Sequence, residues 1–330
     1  MRPSRCRSAA AVASLLACCV TPATAQQGSA GTEGAAFLLL PVGARATALG
    51  QTATADGGTS EAIFWNPAGL VALPRGEFAV HHYDAFFGSG DAVAFAVPSA
   101  LGSFALAAYL VNYGDLSVTR GDLGPEPIGQ ISARNIALMA SYATDVSGGL
   151  ALGLTYKLVQ FRVDCTGDCS TVPTATGTTH AVDLGVRYVA ASAVPLVIGV
   201  SLRNLGFNLQ VNNRAQADPL PTRVSVGVSV RVLRPMSGTD GLDARVLADV
   251  QGTVGSGSLE PVTTFGVESG VGGMLWIRGG YAFLNSAARG PSLGVGVKFG
   301  SIAIDLARAF FETGALGDKE PVHFSFRVIF

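Results

Sequence analysis

A cysteine pair, a histidine pair and a set of regularly spaced charges are the residues of this 330-residue chain that could do chemistry. The cysteines lie in Cys165-Thr-Gly-Asp-Cys169. In an oxidising compartment such a pair closes a small disulfide that staples a loop tip. The alternative is half of a metal site, but two thiolates need further ligands and no histidine stands near. His81 and His82 are adjacent; on a strand they point to opposite faces and cannot share a metal. No metal and no cofactor is therefore expected. The sequence holds no Gly-x-Ser-x-Gly elbow, no phosphate-binding glycine loop and no His-Glu-x-x-His, so no catalytic residue is nominated and no enzyme is expected. Basic and acidic residues number 22 and 23, a balance that gives no electrostatic reason for a nucleic-acid partner.

The regularly spaced charges, on the polar faces, include Lys157, Asp183, Arg187, Arg203, Arg231, Asp249, Glu268, Arg278, Lys298, Asp305 and Arg327. Each alternates with apolar residues, which places it on the opposite face of a strand from them. Val224, Val226, Val228, Val230 and Val232 oppose Ser225, Gly227, Ser229 and Arg231, and the same alternation runs through 150–158 and 181–188. The polar face is rich in Gly, Ser and Thr, as a crowded lumen would be. Only 14% of residues are charged, Gly contributes 42, and mean hydropathy is +0.40. Yet from Arg75 onward no apolar run approaches the about 18 residues of a membrane helix. The apolar content is spent in alternation, as in membrane strands, and the charges are expected to face inward, since an Arg or Lys at mid-membrane costs about 2–4 kcal/mol. Two readings stand for them: a salt-bridge ladder stiffening the wall, or a polar lumen that guides something. Lys298 and Asp305 flank one tight hairpin and are expected to pair across it.

About fourteen such segments are legible, at 76–84, 90–98, 102–113, 132–144, 149–163, 179–189, 196–205, 222–233, 243–253, 261–271, 274–283, 292–300, 301–309 and 322–330. The expected fold is all-β, a transmembrane antiparallel barrel of about fourteen strands occupying 75–330. Its inward turns are short, except 234–242. Several outward loops are long, at 114–131, 164–178, 206–221 and 310–321, as in bacterial barrels. Loops 114–131 and 206–221 are the candidates for partner contact. In the last strand Phe324, Phe326, Val328 and Phe330 share one face, and this ending resembles the C-terminal assembly signal of outer-membrane barrels. Barrel assembly machinery and outer-membrane lipid are the partners that follow.

Residues 1–25 read as a secretory signal: Arg2, Arg5 and Arg7, a short apolar stretch, then Ala23-Thr-Ala25. Export to the bacterial outer membrane is the expected localisation. Leu15-Leu-Ala-Cys18 offers a rival, a lipobox that would lipidate Cys18. Residues 26–74 lack alternation. Pro41, Gly43 and Gly50 bracket an Ala-rich helical turn; Ser60 can cap a second, which Asn66-Pro67 ends. Small, close-packing residues suit either a plug in a barrel mouth or a cap beside it.

This segment resembles the opening of the PorV/PorQ family of outer-membrane proteins, relatives of the FadL transporters. The resemblance is carried by Pro41-Val-Gly-Ala-Arg-Ala, Leu49-Gly50, Ala55-Asp56 and Trp65-Asn-Pro-Ala-Gly-Leu70. It implies an N-terminal hatch built on Gly43, Arg45, Gly50, Asp56, Trp65, Asn66, Pro67, Ala68 and Gly69 inside a fourteen-stranded barrel. It also implies a non-enzymatic role in protein secretion of the type IX kind, with secretion-system components or exported proteins as partners. The alternatives are FadL-like passage of hydrophobic ligands across the outer membrane, or a structural barrel that displays loops. A transporter should show an apolar gap between hatch and wall; a secretion partner should show a filled lumen and an apolar patch on its outer loops.

Overall fold

The computed structural model describes residues 33–85, 88–119, 126–169, 174–191, 195–211, 217–233, 241–254, 261–283, 289–310 and 321–330. The signal region, including Cys18 and the 23–25 cleavage site, and the long inward turn at 234–240 lie outside them.

Fourteen antiparallel strands close into a barrel: β1 (Glu77–Ala85), β2 (Gly88–Ser99), β3 (Gly102–Thr119), β4 (Pro127–Ser147), β5 (Leu150–Gly167), β6 (Ala175–Val189), β7 (Leu196–Gly206), β8 (Arg223–Leu233), β9 (Leu242–Thr253), β10 (Val262–Val271), β11 (Leu275–Phe283), β12 (Arg289–Phe299), β13 (Ile302–Ala309) and β14 (Val322–Ile329). Each pairs with its sequence neighbours. The last returns to the first, from Glu77 opposite Ile329 to Asp84 opposite Val322, so no edge is left unpaired. The period-two pattern sets the faces. Leu152, Leu154 and Tyr156 are exposed on the outer surface of β5, while Ala151, Thr155 and Lys157 are buried inside. Outward polar residues His82, Asp91 and Arg134 end the apolar band at one level.

Strands β3 to β6 run past that level. β4 has 21 residues, about 70 Å at 3.3 Å per residue, against 8 for β13. Much of what the sequence pattern assigns to loops 114–131 and 164–178 is therefore strand. The reason is physical: beyond the apolar band both faces of these strands meet water, and exposed positions such as Asp115 and Ser117 carry no alternation to read. The Cys165–Cys169 disulfide sits there, at the far end of β5.

A short helical segment before β1 fills the interior. It comprises a 3-10 turn (Ala36–Leu39), helix α1 (Ala44–Ala48), helix α2 (Ala62–Trp65) and a second 3-10 turn (Pro67–Ala72). Gly43 (φ 96°) and Gly50 (φ 68°) bracket α1 in backbone regions that a side chain rarely tolerates. The segment descends the barrel. Glu33 bonds Arg223 at the long-loop end through two contacts of 2.7 Å, and Gly34 N–H donates to Pro219 O. At the short-turn end the chain passes directly into β1. The core is thus the interface of plug and wall, with Phe37, Ile63, Phe64, Leu70, Tyr109, Met139 and Val159 buried together.

Candidate functional site

The two sides of the plug are attached to the wall by different chemistry. On one side runs a ladder of charges. Arg45 of α1 pairs with Asp56 (2.7 Å) and Glu268 (3.2 Å). Arg245 pairs with the same two carboxylates, both at 2.7 Å. Arg278 bridges Glu268 (2.5 Å) to Asp305 (2.6 Å), and Arg327 bridges Asp305 (2.8 Å) to Glu77 (3.3 Å). Glu77 in turn accepts from the N–H and hydroxyl of Ser60. Ser60 therefore does not cap α2, as its position suggests; its hydroxyl turns to the wall. All these groups are buried or nearly so, and each charge meets at least one opposite charge, the condition under which buried charges persist.

Hydrogen bonds to plug backbone N–H groups extend this side. Asp249 accepts from the N–H of Ala53 and of Thr54 (2.9 and 2.8 Å). Ser292 Oγ accepts from Gly50 N–H, and Ser325 Oγ accepts from Ala44 N–H. Wall glycines admit the plug backbone: a Cβ on Gly280 would lie 2.1 Å from Gly50 N, and one on Gly185 2.2 Å from Asn66 Oδ1. Asn66 is the pivot of the Trp-Asn-Pro-Ala-Gly element. Its carbonyl oxygen accepts from Ala68 N–H, and its amide donates to Thr54 O (2.6 Å) and to Val186 O of β6 (3.1 Å). Pro67 opens the 3-10 turn and Gly69 packs on the 56–57 backbone, where a Cβ on Gly69 would lie 2.7 Å from Asp56 O. Trp65 donates to Val42 O and lies under the Arg203 guanidinium at 5.2 Å.

The opposite side is apolar. Phe37 and Phe64 pack on Tyr109 with ring centroids 5.8 and 6.4 Å apart. Among the described residues no hydrogen bond or ion pair joins the plug to β2, β3, β4 or β5. A crevice of about 10 Å³ remains there, lined by apolar side chains such as Leu38, Phe64, Tyr109 and Met139 and also by Lys157 and Arg203. This space holds no more than about one water, so plug and wall are in contact along this side.

The other sequence-selected charges fall into place around this frame. Lys157 bonds Asp183 (2.7 Å) and Asn204, beside a bulge where Asn204 takes φ 60°. Arg203 donates to Gln251. Arg187 is half-buried on β6, and Arg231 pairs with Asp243 (3.2 Å), half-exposed at the short-turn end. Lys298 does not pair with Asp305. In the β12–β13 register Lys298 faces Ala303 and Asp305 faces Gly296, and Asp305 is held by Arg278 and Arg327. At the C-terminus Phe324, Phe326 and Val328 look outward, and Phe330 stacks on Phe95 at 5.9 Å.

Sequence reasoning missed Arg245, Glu77 and Glu61. Arg245 shares the parity of Asp249 and Glu77 that of His81, so extending the alternation to the strand ends would have found both. Glu61 has no pattern to reveal it. It lies 3.9 Å from His81, and burial pushes its carboxyl up to about 7 against the pull of Arg327 and Arg45. His81 Nδ1 also contacts Ser325 Oγ (2.8 Å). Ser325 is fully buried and its Oγ also accepts from Ala44 N–H of the plug, so His81 contacts a hydroxyl that ties the plug to β14.

The closed fourteen-strand barrel is similar in fold to FadL-family outer-membrane β-barrels. The chain belongs to the uncharacterised protein family UPF0164, whose family model matches residues 7–308. No curated protein matches it. Among solved structures it is similar to the toluene transporter TbuX of Ralstonia pickettii, with 14% identity, TM-score 0.60, and 87% of this chain and 98% of that one covered. It is also similar to the toluene transporter TodX of P. putida (12%, TM-score 0.57, 87% and 98% covered) and to a Pseudomonas aeruginosa FadL homologue (13%, TM-score 0.54, 87% and 98% covered). At these identities the likeness is one of fold.

Proposed function

We propose that this protein is a non-enzymatic outer-membrane channel that passes small hydrophobic molecules between its plug and its wall. The observation that carries this reading is the one-sided attachment of the plug. Among the described residues no hydrogen bond or ion pair holds it to β2–β5, where Phe37 and Phe64 pack on Tyr109; toward β6–β14 and β1 it is bonded. A hydrophobic molecule can enter the seam without breaking a hydrogen bond or an ion pair. Exposing a side chain such as Phe64 to water would cost about 1.5–3 kcal/mol, and an apolar ligand in the seam removes most of that cost. Two proteins that share the fold are described as toluene transporters, and another as a monoaromatic hydrocarbon channel, which agrees with this substrate class. The secretion role implied by the PorV/PorQ resemblance was the leading expectation from sequence; the apolar seam favours transport over it. Export through the 1–25 signal, and insertion by the assembly machinery through the Phe324–Phe330 ending, belong to the same proposal.

The test is initial uptake of radiolabelled toluene, naphthalene and hexadecane by cells with and without the gene, with the secreted proteins quantified in parallel. Uptake of at least one compound should fall severalfold on deletion and recover on complementation. Unchanged uptake of all three, with selective loss of secreted proteins, would overturn transport in favour of secretion.

A further inference from the structure

At the short-turn end the lumen opens below the plug into a cavity of about 520 Å³. Seven cationic side chains and three carboxylates line it. Most of these charges are already matched. Within the ladder four arginines meet four carboxylates, and at the rim Arg231 meets Asp243. Two cations remain. Arg75 is exposed just before β1, and Lys298 is half-buried near the end of β12. Among the described residues neither has a carboxylate within ion-pair distance. A third donor is also unused: Arg327, 7% exposed and lining the same cavity, has a buried Nε with no acceptor.

Cavities of about 300–1,000 Å³ hold small organic ligands. An excess of two positive charges, with guanidinium donors to spare, matches a phosphomonoester, which carries about −1.5 to −2 near neutral pH and several strong acceptor oxygens. We propose that this inner-mouth cavity is a binding site for a phosphomonoester, either a soluble phosphorylated metabolite or the headgroup of a phosphatidic-acid-type lipid. Leu73, Trp276 and Ile329 on the same wall give the rest of such a ligand an apolar surface. The site lies below the plug and does not depend on passage along the apolar seam, so it stands or falls separately from the transport reading.

Calorimetric titration of the purified protein in maltoside micelles tests it, with glucose 6-phosphate as one probe and phosphatidic acid in mixed micelles as the other. Unphosphorylated glucose and diacylglycerol are the controls. Saturable binding of either phosphorylated probe, weakened at least tenfold in the Arg75→Gln/Lys298→Gln double variant and retained in Lys298→Arg, supports the site. Which probe binds identifies the source of the phosphate. Neither substituted residue belongs to the ladder, and heat-shifted gel mobility checks that the variant barrel is folded. Failure of both probes to bind the wild type, or equal binding to the double variant, overturns the proposal.

Discussion

Replacing Arg45 with alanine removes the one ladder cation that belongs to the plug. In the wild type its guanidinium reaches Asp56 at 2.7 Å and Glu268 at 3.2 Å, and all three are buried. Removing one partner of a buried pair costs about 3–5 kcal/mol, because the other charge is stranded. Here neither carboxylate is stranded completely: Asp56 keeps Arg245, and Glu268 keeps Arg245 and Arg278. The loss should therefore fall near the lower end, about 3 kcal/mol, which is roughly a 150-fold shift in the equilibrium for lifting the plug. Hydrogen exchange by mass spectrometry reads this directly. Peptides containing the Thr47 and Leu49 amides, bonded to Gly43 and Arg45 carbonyls, should exchange about a hundredfold faster, while amides of β4 and β5 keep their wild-type rates. Unchanged exchange in the plug would refute the ladder as its anchor. Equal acceleration in plug and strands would show that Arg45 holds the barrel as a whole.

Three further outcomes follow from the same geometry. Gly185→Val places a side chain where Asn66 now sits; overpacking of about 1–3 kcal/mol should loosen the plug and raise conductance in planar bilayers without abolishing heat-shifted gel mobility. Glu61, whose pKa of about 7 lies above its usual value near 4.5, takes up a proton on folding between those values. Its contribution is thus fully present below about pH 4.5 and lost as pH rises through 7, so plug amides should be better protected at pH 5 than at pH 8, and Glu61→Gln should shrink the difference. Cys165→Ser/Cys169→Ser opens a small loop at the tip of β5, worth about 2 kcal/mol at most by loop closure, and should leave heat-shifted mobility and plug exchange at wild-type levels.

The barrel was legible in the sequence wherever one face of a strand meets lipid, because lipid forces the alternation that Val224–Val232 displays. It was illegible above the apolar band, where consecutive residues such as Leu116 and Ser117 are exposed on both sides of the sheet. The plug motif was visible through its small residues and the Asn66-Pro67 stop, but its partners were not: Asn66 reaches a β6 carbonyl more than a hundred residues away, and no local pattern encodes that. The Lys298–Asp305 expectation failed for a related reason. Hairpin register makes them diagonal neighbours at best, and Gly296 leaves the space through which Arg278, one strand further on, reaches Asp305. Pairing in a closed lumen is decided across several strands at once, and adjacency within one hairpin does not predict it.

The most direct measurement uses a plug locked to its apolar seam. In a Phe64→Cys/Tyr109→Cys variant, whose parent rings lie 6.4 Å apart, a short bifunctional thiol reagent should bridge plug and β3 while leaving the native disulfide intact. The account predicts that uptake of labelled hydrocarbon stops on cross-linking with a cleavable reagent and returns when the reagent is cleaved, with each single-cysteine variant unaffected. Undiminished uptake through the locked barrel would contradict it, because the molecules would then be crossing somewhere other than the seam.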